Sequence, residues 1–178
     1  MSNDPNRKAI EDALLARFLD ERDKIESAYE RALGKLAIRF SLLHFTLEQF
    51  CWDMWGIKDR LALIMTGDLP TKHLVEKMRQ GATCRIHSTK DRRLFISVLN
   101  KVEKAAHKRN DLLHALWIIR KDKPTICVVR KRGVLRGMDS SLLEEINGQN
   151  KMILEIMGEF EVFQKRRPLD KGPVEAVL

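Results

Sequence analysis

Three residues within six positions, Arg109, Asn110 and His114, combine the groups needed to work on a phosphodiester without a metal. Histidine titrates near neutrality and can take or return a proton. Arginine brings a permanent charge and a planar fork of donors that fits phosphate oxygens. The amide of Asn110 can orient the imidazole or the substrate. RNA cleavage by this route takes a base for the ribose 2′-hydroxyl, an acid for the leaving 5′-oxygen and positive charge on the phosphorane between them. Its products are a 2′,3′-cyclic phosphate and a 5′-hydroxyl. On a helix Asn110 and His114, four residues apart, share a flank, which His107 and Trp117 extend at either end. Arg109 and His114, five apart, stand roughly 140° from one another. One phosphate reaches both through the length of the arginine or through the same residues of a second subunit.

The spacing is weak evidence by itself, since about 0.5 Arg-x4-His pairs are expected by chance in a chain of this Arg and His content. A second pair, Arg39 and His44, does occur, and because Phe40 rather than a polar residue follows its arginine it reads as a structural control. What distinguishes Arg109 is its place in a pattern. Ser88-Thr-Lys-Asp91 has the form of a helix start, and the helix is predicted from about Thr89 to Leu116. Phe95, Val98, Val102, Ala105, Leu112 and Leu116 form its apolar stripe, and the position missing from that stripe is Arg109. A guanidinium left unpaired on a buried seam costs several kcal/mol. It must therefore meet an anion, an acid such as Glu48 or Asp53, or an opening in the core. For His114 the plain alternative is a satisfied boundary histidine.

The elements that position these residues follow from periodicity. Ile10, Leu14, Phe18, Ile25, Tyr29 and Leu33 recur at helical spacing, with Asp20 and Lys24 at i, i+4. Gly34 either breaks this helix or is absorbed in a longer one, because Leu36 to Trp55 is again helical and apolar on most sides, as a buried helix is. Gly56, Gly67-Asp68 and Pro70 punctuate the chain, and a short helix is expected from Leu69 to Gln80 with Gly81 as its stop. Trp117–Lys121 and Thr125–Arg130, joined through Asp122-Lys-Pro124, read as a small basic β-hairpin. Asp139 or Ser140 opens a last helix along Leu142, Ile146, Ile153, Met157, Phe160 and Phe163. The expected fold is all-α, an up-and-down bundle of four to five helices with a β-hairpin insertion, in one domain over 1–165 with a disordered tail over 166–178.

Composition bounds the partners. The chain of 178 residues has a formal charge of +8 and 44% hydrophobic residues, enough to build a core. The excess is not spread evenly. Residues 89–137 carry +10, while residues 1–30 and 138–178 carry −3 each. Such a block is the electrostatic footprint of a polyanion site, or a solvated basic face. No apolar run exceeds five residues, as at Leu61–Met65, so no membrane span is expected. The N-terminus runs straight into a charged amphipathic stretch, which points to the cytoplasm. Cys51, Cys84 and Cys127 form neither a disulfide framework nor a zinc knuckle and read as small core residues. Trp52, Trp55 and Trp117 read as core rather than as a stacking platform. His44 and Glu48 make half a metal site with no third ligand, so no metal and no cofactor is expected.

Arg109-Asn-Asp-Leu-Leu-His114-Ala-Leu-Trp117, near the end of a long helix in a small helical protein, resembles the signature of the HEPN family, in which an Arg and a polar residue precede a His by four to six positions. The resemblance covers residues 30 to 165 in element order, and these few residues are its specific part. It implies a helical bundle, usually a homodimer whose signature helices meet at a cleft. It further implies a metal-independent endoribonuclease, in which Arg109, Asn110 and His114 are catalytic and two copies of His114 divide the acid and base roles. A toxin or defence component with an antitoxin partner is implied as well. Lys108, Arg120, Lys121, Arg130, Lys131 and Arg132 are the candidate RNA-backbone contacts. Two other readings stay open: a non-catalytic HEPN-like module that binds RNA or protein, and a basic DNA-associated accessory protein acting through the hairpin.

Overall fold

Local chemistry sets the helix boundaries. Ser88 Oγ accepts the N–H of Asp91 at 3.4 Å and Asp139 Oδ1 accepts that of Leu142 at 2.9 Å, so both start signals act as N-caps. Gly56, at φ 66°, supplies the left-handed residue after the first long helix. Its N–H bonds the Asp53 carbonyl while that of Ile57 bonds Trp52, which closes the helix end. The computed structural model describes residues 5–57, 59–118, 127–129, 135–137 and 139–166. Its helices are α1 (Pro5–Trp55), α2 (Asp59–Thr66), α3 (Thr71–Arg85), α4 (Thr89–Leu113) and α5 (Ser140–Arg166). No described helix is long and apolar enough to cross a membrane.

Two glycines show how the space around a residue decides a boundary, Gly34 in line with one of its two readings and Gly81 against expectation. Gly34 does not break α1, whose 51 residues run through it; a Cβ there would meet nothing within 4 Å. Gly81 does not stop α3. It is buried inside the helix, where a Cβ would stand 2.3 Å from Met54 Sδ, so the absent side chain makes room for α1. Helix α2 was not anticipated as a helix.

The bundle directions follow from which residues meet. Tyr29 donates to the Asp139 carbonyl, Arg39 to that of Asn150, and the Phe50 ring lies 4.9 Å from that of Phe160, so α1 and α5 run parallel. His44 meets Thr71 and Met54 meets Gly81, so α3 also runs with α1. Arg79 pairs with Glu103, and Lys101 and Lys108 pair with Glu159 and Glu145, which makes α4 antiparallel to both α3 and α5. The short α2 brings the chain from the end of α1 back to the level of His44, and Trp52 Nε1 donates to Thr66 Oγ1 at 2.6 Å. Together these helices form an alternating bundle.

Its core is one cluster drawn from α1, α3, α4 and α5, including Leu36, Leu43, Leu47, Phe50, Met78, Phe95, Leu99, Val102, Ile146, Ile153 and Phe160. Burial along α1 begins at Tyr29. Before it, Ile10, Leu14, Leu15, Leu19 and Ile25 are exposed, so the apolar stripe of that segment is not part of the core. Between α4 and α5 lie three three-residue strands, β1 (Leu116–Ile118), β2 (Cys127–Val129) and β3 (Leu135–Gly137), antiparallel in the order β1-β2-β3. Leu116 pairs with Val129 and Cys127 with Gly137. The segments that join these strands, and the tail from 167 onward, lie outside the described residues.

Candidate functional site

Helix α4 buries Phe95, Leu99, Val102, Ala105 and Leu112. Leu99 replaces Val98 as the fully buried member of the stripe, and Leu116 has already left the helix for β1. Arg109 occupies the gap as the sequence pattern places it, only partly buried. Its guanidinium lies over the Phe40 ring, 5.1 Å from the centroid. Its Nη1 donates to Asn110 Oδ1 at 2.9 Å, while its Nε is buried and finds no acceptor.

The expected ion pair with Glu48 or Asp53 is not formed. Glu48, buried on α1, faces His44 Nε2 at 3.8 Å instead, and the carboxylate of Asp53 lies near the far end of α1, beyond Phe50. Among the described residues Arg109 has no acidic partner. The third option raised by the sequence applies: Arg109 borders an opening. A cavity of about 610 Å³ lies between α1, the start of α3 and the last turns of α4, and Phe40, His44, Thr71, Lys72, His107, Arg109 and Asn110 all line it.

Each wall has a local cause. Pro70, which lacks an N–H and offers no side-chain cap, begins α3 and leaves the first N–H groups of that helix without intrahelical acceptors. Thr71 then meets His44 Nδ1 through its hydroxyl at 3.1 Å. Glu103, an acid in the lining, is held by both Arg79 Nη groups at 3.0 and 2.8 Å. Its charge is thereby compensated; Lys72 stands 4.0 Å from Glu76, which leaves Arg109 as the cation of the wall without an acidic partner among the described residues.

The structure brings Arg109 and Asn110 together and separates His114 from the cavity. Helix α4 ends at Leu113, and His114 is its exposed C-cap, with its backbone N–H bonded to the Asn110 carbonyl at 3.0 Å. Asn110 thus holds Arg109 through its side chain and the His114 backbone through its carbonyl. Lys108 pairs with Glu145, which removes it from the free cations. Arg120, Lys121, Arg130, Lys131 and Arg132 lie outside the described residues, as does the Trp117 side chain.

Several residues enter the site, or leave the core, against expectation. Arg39 is structural, bonded to the Asn150 carbonyl at 3.2 Å. Its companion His44, however, lines the cavity, and so do Thr71 and Lys72, which no sequence signal connected with Arg109. His107 was visible on the Asn110 flank. Cys84 is exposed, so it is not a core residue, whereas Cys51 is buried and its thiol is pushed up by burial. Trp52 and Trp55 are half-buried. No group of three or more metal-ligating side chains occurs among the described residues. No family model, curated protein or solved structure compared with the chain matches it.

Proposed function

We propose that the chain is a metal-independent ribonuclease of the HEPN type, acting as a homodimer and serving as a toxin or defence component restrained by an antitoxin. The observation that carries this reading is Arg109: a charge set into the apolar seam of α4, without an acidic partner among the described residues, bonded to Asn110 and bordering a cavity. Stability does not ask for such a group, because its desolvation is uncompensated, whereas a phosphate would satisfy it. His114, exposed four residues beyond Asn110, is the acid or base, and a second copy supplies its counterpart. Ile38, Leu42 and Phe45 form an exposed apolar stripe on α1 next to Ser41 and His44, the surface a second copy would cover. The basic segment 89–137 draws the RNA backbone toward the cleft.

Incubating RNA in EDTA with the wild type, His114→Ala and Arg109→Ala tests this. Wild-type cleavage to 2′,3′-cyclic ends, reduced at least about 100-fold in either variant, is the expected result; cleavage unchanged in His114→Ala, or none by any protein, overturns it. A second reading is favoured by the position of His114 outside the cavity: a module that binds RNA without cutting it. There the wild type binds without cleaving, and His114→Ala leaves affinity unchanged. A basic accessory role on DNA would instead be lost on charge reversal of Arg130, Lys131 and Arg132.

A further inference from the structure

We propose that the cavity between α1, α3 and α4, the phosphate site that the reading above gives to Arg109, prefers the terminal phosphate of an RNA strand to an internal one. The inference deepens the RNA reading above and rests on it. Arg109, Lys72 and His107 line one cavity, Lys72 standing 4.0 Å from Glu76 and the His44 ring being engaged by Thr71 and Glu48. Arg109 Nε is a buried donor with nothing to donate to. Asn110 fixes the guanidinium by taking only one of its N–H groups, and the carboxylate of Glu103 is occupied by Arg79.

Donor number and charge then decide which phosphate fits. An internal phosphodiester presents two free oxygens and one negative charge. A terminal phosphate presents three oxygens and a charge of about −1.5 to −2. The arginine fork, Lys72 and the imidazole of His107 together offer more donors than a diester can engage. Three helices wall the cavity. At about 610 Å³ it has room for the nucleotide that carries the phosphate.

The test is fluorescence anisotropy with 2′-O-methyl oligoribonucleotides, which cannot be cleaved through the 2′-oxygen, bearing a 5′-phosphate, a 3′-phosphate or hydroxyls at both ends. One phosphorylated end should bind about tenfold more tightly than the hydroxyl oligomer, the equivalent of one further charge-assisted hydrogen bond. Arg109→Gln should erase that gap. Lys72→Gln and His107→Gln, at exposed positions that do not threaten folding, should narrow it, and Lys151→Gln on α5 should leave it. Equal affinity for all three oligomers, a gap that survives Arg109→Gln, or a response to inorganic phosphate without a gap would each overturn the proposal. Wild-type cleavage of ordinary RNA with no gap removes this inference and leaves the nuclease reading standing; a gap without cleavage does the reverse.

Discussion

Helix α1 presents two phenylalanines to the bundle interior, and they meet different fates. Phe50 enters a cluster of rings, with Phe95 at 6.1 Å, Phe160 at 4.9 Å and Phe163 at 6.4 Å between centroids. Phe40, nearly three turns earlier, faces the same helix α4 but finds Arg109 over its ring at 5.1 Å. Aromatic pairs add about 0.5–1.5 kcal/mol beyond the area they bury. A cation over a ring returns about 0.5–1 kcal/mol at exposed sites and about 2 kcal/mol when desolvated, against a desolvation of the half-buried guanidinium that an apolar residue would not incur. One end of the α1–α4 seam is therefore built for stability, and the other gives stability up to hold a charge beside a cavity. The difference sets apart, without reference to any motif, the end of the bundle that the proposed function uses.

Substitutions at the two ends should separate these roles. The largest effect is expected from Phe50→Ala, which leaves a void among the three remaining rings and should cost about 3–5 kcal/mol in denaturant unfolding. A loss below about 1 kcal/mol would show that the rings carry little of the fold. Gly81→Ala comes next. Helix propensity favours alanine by about 1 kcal/mol, but the new Cβ would collide with buried Met54, and overpacking of about 1–3 kcal/mol should turn the balance to a net loss. In a Met54→Ala background, itself destabilised, the same glycine change should cost much less, which a double-mutant cycle reads directly. At the opposite end Arg109→Leu should raise stability by about 1 kcal/mol while abolishing phosphate binding; a destabilised variant would mean that Arg109 is structural and that the two ends do not differ in kind.

The smallest expected effect concerns reactivity. Cys51 is buried on α1 beside Phe50, and burial raises its thiol pKa, so alkylation of the native protein followed by peptide mass spectrometry should label exposed Cys84 well before Cys51. The sign of the linkage follows. A neutral buried thiol favours the fold at low and neutral pH, and its contribution falls as pH rises through and above the ordinary thiol value, where only the unfolded state ionises freely. A Cys51→Ser variant should show a flatter stability profile across that alkaline range.

How much was legible beforehand depended on whether the deciding interaction was local. Ser88 and Asp139 cap through residues three positions away, and the i, i+4 pair of Asp20 and Lys24 closes at 2.6 Å, all within reach of neighbouring sequence. Gly81 was misread because a glycine inside a helix and one that ends it look alike until Met54 of another helix fills the space. Cys84 and Cys51 are chemically identical in sequence, and only their placement parts them.

For this protein the amino-acid sequence by itself determined where α4 and α5 start, which stripe of α4 is apolar and that Arg109 interrupts it, because each of these follows from periodicity and from contacts within one or two turns. Only the tertiary structure decided what answers that interruption. Glu48, one of the candidate partners, faces His44, Phe40 takes the guanidinium on its face, and Lys72 and Thr71 come from a helix nearly forty residues away. His114 was left outside because α4 ends at Leu113. Those outcomes depend on how far one helix slides and turns against another, and no single helix encodes that relation.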